Sequence, residues 1–290
     1  MTKLSIITIN RNNAAGLRRT IESVVSQTYT DFEYIVIDGA STDESVDVIK
    51  EYADRITYWI SEPDKGIYNA MNKGILKAKG EYLLFLNSGD WLVDEQKIQI
   101  MVNNLNNEDI IITNIYLVEN KKIENNKFIG INSNESIRDS LNSLDLIYGV
   151  FPHNATFFKK VLFEKNGLYD ESLKIVSDWK FMIKSILFNN ATTKIFRNEF
   201  IVNFDVNGVS ATERDLYNKE RRSVLNEFFT STILKDYEEY YQLYLYNESI
   251  KKRYEDYMAL RKNKVFLVFI RFFLWLIRKG RKYNQIKRRY

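Results

Sequence analysis

The sequence predicts an α/β fold, a mostly parallel central sheet flanked by helices, with a helical extension at its C-terminal end. Three observations carry this. Short β-branched or continuously apolar runs of strand length fall at residues 5–9 (SIITI), 33–38 (EYIVID) and 82–86 (YLLFL). Helix-period apolar patterns separate them. The connections are short, and strands that alternate with helices in this way pair in parallel.

Taken in order, the first strand is followed by a helix with Leu17, Ile21, Val24 and Val25 on one face. After the second strand, Ser41 and Glu44 have capping-box spacing and open a helix through Val46, Ile49 and Tyr52. Residues 57–60 read as a further strand. A third helix over roughly 67–79 brings Met71, Ile75 and Ala78 together and stops at Gly80. From about 95 to 150 the pattern loosens into a helix, a strand at 110–113 and an Asn-rich polar stretch. Further α/β elements occupy 148–205, and 213–262 reads as helix. The expected division is an α/β domain at 1–212 and a helical extension at 213–290.

Composition narrows the function classes. Of 290 residues, 45% are hydrophobic and 28% charged, as in a folded globular chain. The absence of cysteine excludes disulfides and thiolate metal sites and suits a reducing cytoplasm. Met1-Thr2-Lys3 runs into the first strand without a secretory leader pattern. A single histidine excludes a multi-histidine metal site within one chain.

The net charge of +4 conceals an asymmetry. Residues 251–290 hold 14 of the 42 Lys+Arg and 2 of the 38 Asp+Glu, so the rest of the chain is acidic. Within this tail, residues 265–277 are apolar apart from Arg271, and at about 1.5 Å per residue they fall short of a ~30 Å hydrocarbon core. Segment 264–282, flanked by Lys262, Arg278, Lys279, Arg281 and Lys282, suits a helix lying on an anionic membrane surface. The alternative is a helix docked on protein. Nucleic acid is disfavoured, because the apolar stretch has no use there. A cytoplasmic protein, peripheral on the inner face of the membrane, is the expected placement.

Ligands of open parallel sheets bind outside the carboxyl ends of the strands. Here those ends carry Thr8 and Asn10, then Asp38, then Asn87-Ser88-Gly89-Asp90. They make a nucleotide-and-metal pocket, although Asp38 would also serve as a helix cap. Neither a G-x-G-x-x-G fingerprint nor a G-x-x-x-x-G-K-[ST] loop is present. Phosphates bound here would need another counter-charge, most simply Mg²⁺ or Mn²⁺ on Asp90.

The segments SIITINRNN, TIESVVSQTYTDFEYIVIDGASTDES and SEPDKGIYNAMNKGILKAKGEYLLFLNSGDWL resemble the family 2 glycosyltransferases of GT-A fold, in the branch that builds bacterial surface polysaccharides. The resemblance is close over 4–94 and weaker through PHNATFF, GLYDESLKIVSDW and NGVSATE. It implies inverting transfer from a nucleotide-sugar, a UDP-sugar above all, to a saccharide or lipid-linked acceptor. Thr8, Asn10, Asp38 and Ser88 would line the donor side, with Asp64 and Lys65 approaching from the EPDKG loop. Asp90 would hold the metal, Asp178 would be the general base, and His153 and Trp179 would lie on the acceptor side. Structural readings stand beside these: a helix cap for Asp178, a turn for Lys65, core packing for Trp179. Two departures stand out: Gly39 where many members have a second Asp, and NSGD where acids are common at positions 87 and 89. The competing functions are a sugar nucleotidyltransferase, whose Gly-rich, Arg-containing loop is missing after the first strand, and a non-catalytic subunit of the same fold.

Overall fold

The computed structural model describes residues 2–119, 122–126, 141–205 and 213–262. The Asn-rich stretch, most of NGVSATE and the basic apolar tail at 264–282 lie outside the described residues. Two compact units result, Met1–Phe228 and Phe229–Tyr290.

In the first unit β1 (Leu4–Asn10), β2 (Phe32–Asp38), β3 (Tyr58–Ser61) and β4 (Tyr82–Phe85) form a parallel block in the order β3-β2-β1-β4. Helices α1 (Ala14–Val25), α2 (Ser45–Glu51) and α3 (Ile67–Lys77) connect these strands. Every residue of β1 is buried, as for a central strand covered on both faces. Leu17, Ile21 and Val24 of α1 enter the core beneath it with Tyr34 and Val36, as the helix period requires.

Past β4 the sheet turns mixed. β8 (Thr156–Lys159) pairs antiparallel with β4 and with β6 (Ile110–Glu119). β9 (Thr193–Asp205) pairs parallel with β6 and antiparallel with the short β5 (Trp91–Leu92), and β7 (Lys122–Asn126) forms a hairpin with β6. Smaller helices α4 (Lys97–Val102), α5 (Ser143–Tyr148), α6 (Lys160–Asn166) and α7 (Ser177–Ile183) fill the connections. The expected strand at 110–113 is thus the first part of a longer one.

The capping box expected at Ser41 and Glu44 does not form. Ser41 turns back to Asp38, and Asp43 does the capping: its Oδ1 accepts from Ser45 N at 3.0 Å and its Oδ2 from Ala14 N at 2.9 Å. One carboxylate therefore serves the first turns of α2 and α1 together.

Helix α8 (Arg214–Phe228), grouped with the extension on sequence, belongs to the first compact unit. Glu220 is buried and accepts the Lys174 and Ile175 amides at 2.8 and 2.9 Å. Arg221 donates to the Ile147 and Gly149 carbonyls at 2.6 and 3.1 Å. Two neighbouring residues thereby anchor the two loops that lead into α7 and toward residue 153. The second unit contains α9 (Ser231–Lys262), a single long helix.

Candidate active site

The strand register places Asn10 beside Asp38, and Asp38 beside Ser61. Asp38 is fully buried and its carboxylate is saturated. Oδ1 accepts from Asn10 Nδ2 at 2.8 Å and Ser41 Oγ at 2.6 Å; Oδ2 accepts from the Ser41 amide at 2.9 Å and Ser61 Oγ at 2.6 Å. Burial pushes its pKa up, but these hydrogen bonds outweigh burial and hold it below the ordinary carboxylate range. Asp38 is an anionic brace tying three strand ends together. Thr8 is equally buried, donating to the Leu86 carbonyl at 2.8 Å and lying 3.1 Å from the Tyr34 hydroxyl. Neither side chain is exposed.

The loop after β3 brings Asp64 over Gly39. A Cβ added at Gly39 would lie 2.2 Å from Asp64 Oδ2, so the two residues occupy each other's space. A side chain at position 39 would therefore require the Asp64 carboxylate to move aside. Asp64 Oδ1 accepts the Gly66 amide at 2.9 Å, while the Lys65 side chain is exposed.

Gly89 is the other position where the chain departs from the family pattern. Its φ of +107° is strained for any residue with a side chain. The turn it allows holds Ser88 half-exposed, with Asn13 Nδ2 donating to the Ser88 carbonyl at 3.1 Å. It also sends Asp90 inward, where only 5% of the residue is exposed. Asp90 Oδ2 accepts from Asn154 Nδ2 at 3.0 Å and Oδ1 from the Asp205 amide at 3.2 Å. Burial, with some help from the Asp205 charge, outweighs these bonds and pushes Asp90 up to about 7. Arg19 lies 4.0 Å over the Trp91 ring and reaches the Gly89 carbonyl at 3.0 Å and Asp205 at 3.3 Å.

Two buried side-chain carbonyls, Asn10 Oδ1 and Asn87 Oδ1, have no hydrogen-bond partner among the described residues. An unmet buried acceptor costs about 1–3 kcal/mol. An unmet oxygen in the same turn as a buried, poorly ionised acid is the donor set a hard divalent cation would satisfy. The residues fit such an ion, completed by phosphate oxygens, although no cluster of three ligating side chains occurs among the described residues.

The second half of the site is built around Asp178, at the start of α7. Its Oδ1 accepts from the Tyr68 hydroxyl and from the Trp179 amide, both at 2.9 Å, and its second oxygen has no hydrogen bond within the described residues. Burial pushes Tyr68 and Tyr169 well above the usual phenol range, and the Asp178 charge adds to it. Both stay protonated donors. His153 stacks on Phe85 at 4.8 Å, and its Nε2 lies 2.8 Å from the Tyr169 hydroxyl. Burial lowers its pKa against the opposing pull of Asp178, so the imidazole is neutral near pH 7. Trp179 packs beneath this half of the site, as its core-packing reading expects. Only 6% of it is exposed, its Nε1 donates to the Leu146 carbonyl at 2.7 Å, and Arg221 lies 4.0 Å over its ring.

The two halves are joined by neighbours in one 3₁₀ turn, His153–Ala155. Asn154 bonds Asp90, while the His153 ring lies in the field of Asp178. Sequence reasoning missed Asn154, Asp205, Tyr68 and Tyr169. Three of these lie inside quoted motif segments (PHNATFF, GIYNAMNKG, GLYDES), where a polar or phenolic side chain among apolar neighbours was the available signal.

A parallel nucleotide-type half-sheet extended by antiparallel strands, with acids at the strand ends, defines a GT-A glycosyltransferase, and comparison with known proteins agrees. The model of glycosyl transferase family 2 matches residues 5–164, and the chain belongs to that family. An uncharacterised glycosyltransferase of Mycobacterium tuberculosis is 34% identical over 186 residues, 63% of this chain and 69% of that protein. A Mycobacterium bovis PGL/p-HBAD biosynthesis glycosyltransferase is 27% identical, over 62% of this chain and 68% of that one. Among solved structures, Staphylococcus aureus TarS (residues 1–349) superposes with a TM-score of 0.61 at 19% identity, covering 78% of this chain and 65% of that one. The mannosyltransferase PcManGT of Pyrobaculum calidifontis, solved with GDP-Man and Mn²⁺, gives 0.53 at 13% identity, over 76% of this chain and 60% of that one. The protein is a glycosyltransferase with a GT-A-like fold.

Proposed function

We propose that this enzyme transfers a sugar, with inversion, from a nucleotide-sugar donor to a saccharide or lipid-linked saccharide in bacterial surface-glycan synthesis. The observation that carries it is that consecutive residues of one turn reach both acids: Asn154 bonds the buried Asp90, and His153 lies in the field of Asp178, one of whose oxygens has no hydrogen bond within the described residues. The free oxygen of Asp178 takes the proton of the acceptor hydroxyl as that hydroxyl attacks the anomeric carbon. The bond from that carbon to the diphosphate oxygen breaks, and the electron pair leaves with the nucleoside diphosphate. Tyr68 holds Asp178 in place, and neutral His153, backed by Tyr169, offers a hydrogen bond on the acceptor side.

Asn10, Asp64, Lys65 and Ser88 would meet the donor, with Asp38 and Thr8 bracing them from behind. A divalent cation on Asp90 and Asn87, Mg²⁺ or Mn²⁺, would offset charge developing on the diphosphate. A UDP-sugar donor is supported by TarS, which has been solved with UDP-GlcNAc. A surface-glycan role is supported by the mycobacterial relative's part in PGL/p-HBAD biosynthesis. Segment 264–282 would hold the enzyme against an anionic membrane, where a lipid-linked acceptor resides. Among the described residues no helix is long and apolar enough to cross a membrane.

The test is a thermal-shift screen against UDP, GDP, CDP and dTDP, each with and without Mn²⁺. A ligand of the native state raises stability with the logarithm of its concentration over Kd. A metal-dependent shift with UDP that vanishes in Asp90→Ala is expected. No shift with any nucleotide, in folded protein, would overturn the donor assignment.

A further inference from the structure

We infer that α9 is a self-association helix, on which a second copy of this chain packs antiparallel. The helix runs 32 residues, Ser231–Lys262, or about 48 Å. Ile233, Tyr240, Leu243, Tyr246, Ile250 and Tyr254 are between 42% and 62% exposed. At 3.6 residues per turn these six fall within an arc of roughly 140°, which they share with Asp236, Glu239 and Asn247, while Leu245, 42% exposed, lies on the opposite side. Large apolar side chains gathered this way on one helix mark an interaction surface, where scattered ones would not.

The charges along α9 choose the occupant. Its N-terminal half carries Asp236, Glu238 and Glu239 against Lys235, and its C-terminal half Lys251, Lys252, Arg253, Arg261 and Lys262 against Glu248, Glu255 and Asp256, so the two halves differ in net sign. An anionic membrane would attract one end and repel the other. An antiparallel copy matches both ends at once, and a parallel copy sets like against like.

Heptad spacing fixes a register. With Ile233 at an a position, Tyr240, Asn247 and Tyr254 are also a, while Asp236, Leu243 and Ile250 are d. Antiparallel helices pair a with d, so Tyr240 meets Ile250 of the partner subunit and Leu243 meets Asn247 of the partner subunit. Asp236 then faces Tyr254 of the partner subunit, whose hydroxyl can donate to the carboxylate. The flanking g positions are Glu239, Tyr246 and Arg253. Glu239 would pair with Arg253 of the partner subunit, twice by symmetry, and Tyr246 would sit at the two-fold axis. Within its own helix Glu239 makes an exposed, 3.7 Å contact to Lys235, which it can exchange at little cost.

The experiment is sedimentation of the full chain, with charge reversal. Wild type should be dimeric at micromolar concentration. Glu239→Arg and Arg253→Glu should each weaken the dimer roughly five- to tenfold, and the double variant should regain it. Because the chain has no cysteine, Tyr246→Cys gives a second readout. It should form an interchain disulfide under mild oxidation, while Tyr240→Cys, offset from its own copy, should not. A monomer at tens of micromolar, a dimer indifferent to both reversals, or cross-linking through Tyr240→Cys instead would overturn the proposal. So would finding that the stripe is covered by phosphatidylglycerol vesicles while the lipid-free protein stays monomeric.

Discussion

The two halves of the proposed site, a donor side and an acceptor side, are built in opposite ways. On the donor side, Asp38 receives four hydrogen bonds from its own strand ends and loop, all within residues 10–61. On the acceptor side, Asp178 is held by Tyr68 and its own helix, and His153 by Tyr169 and Phe85. Those residues come from segments far apart in the chain, anchored by α8 through Glu220 and Arg221. A nucleotide half closed on itself can be inherited as a block. An acceptor half assembled from separate pieces can be rebuilt one piece at a time.

The largest effect that separates the halves should come from Asp178→Asn. Transfer should fall by about 10²–10⁴-fold, while nucleotide binding by calorimetry stays within error of wild type. Parallel loss of both would merge the halves. Next, Tyr68→Phe removes the hydroxyl that positions Asp178. It should lower kcat roughly tenfold without changing donor KM, and a matching rise in KM would place Tyr68 on the donor side instead.

Glu220→Ala removes the shared acceptor of two part-buried amide bonds, at a cost of about 1 kcal/mol or more. Chemical denaturation should show that loss, with activity falling more than nucleotide affinity. Equal falls would mean that α8 supports the whole domain rather than the acceptor half.

The smallest expected effect is on acid stability. Burial raises Asp170, but its bonds from Lys180 and Ser172 win and hold it at about 2. A depressed carboxylate stabilises the fold above its unfolded pKa, and that contribution is lost as pH falls from near 4 toward 2. Lys180→Met should therefore reduce stability at neutral pH and flatten the acid limb of the melting profile. An unchanged limb would contradict the assignment.

The donor half was largely legible in the sequence, because its residues are close in the chain and sit at strand ends that hydrophobic runs announce. What the sequence did not reveal was how each residue is used. Ser41 looked like a helix cap, yet Asp38 competes for its hydroxyl and Asp43 supplies the cap. Trp179 read as a packing residue more than as a sugar platform, and what it packs against, Leu146 and Arg221, came only from the fold. The acceptor half resisted because its contacts are long-range: nothing local links Tyr68 to Asp178 or Asn154 to Asp90. Gly39 and Gly89 read as missing acids until the fold showed Asp64 filling one space and a positive φ defining the other.

The most direct test of the account is a paired measurement on Asp178→Asn and Asp90→Ala. Each variant would be assayed for UDP binding with Mn²⁺ and for release of nucleoside diphosphate from the donor that the nucleotide screen selects. The account predicts a crossed result: Asp90→Ala loses the metal-dependent part of binding, whereas Asp178→Asn binds normally and releases almost no product. If both variants lost binding and turnover together, or if Asp178→Asn retained full turnover, the division into a donor acid and an acceptor base would be wrong.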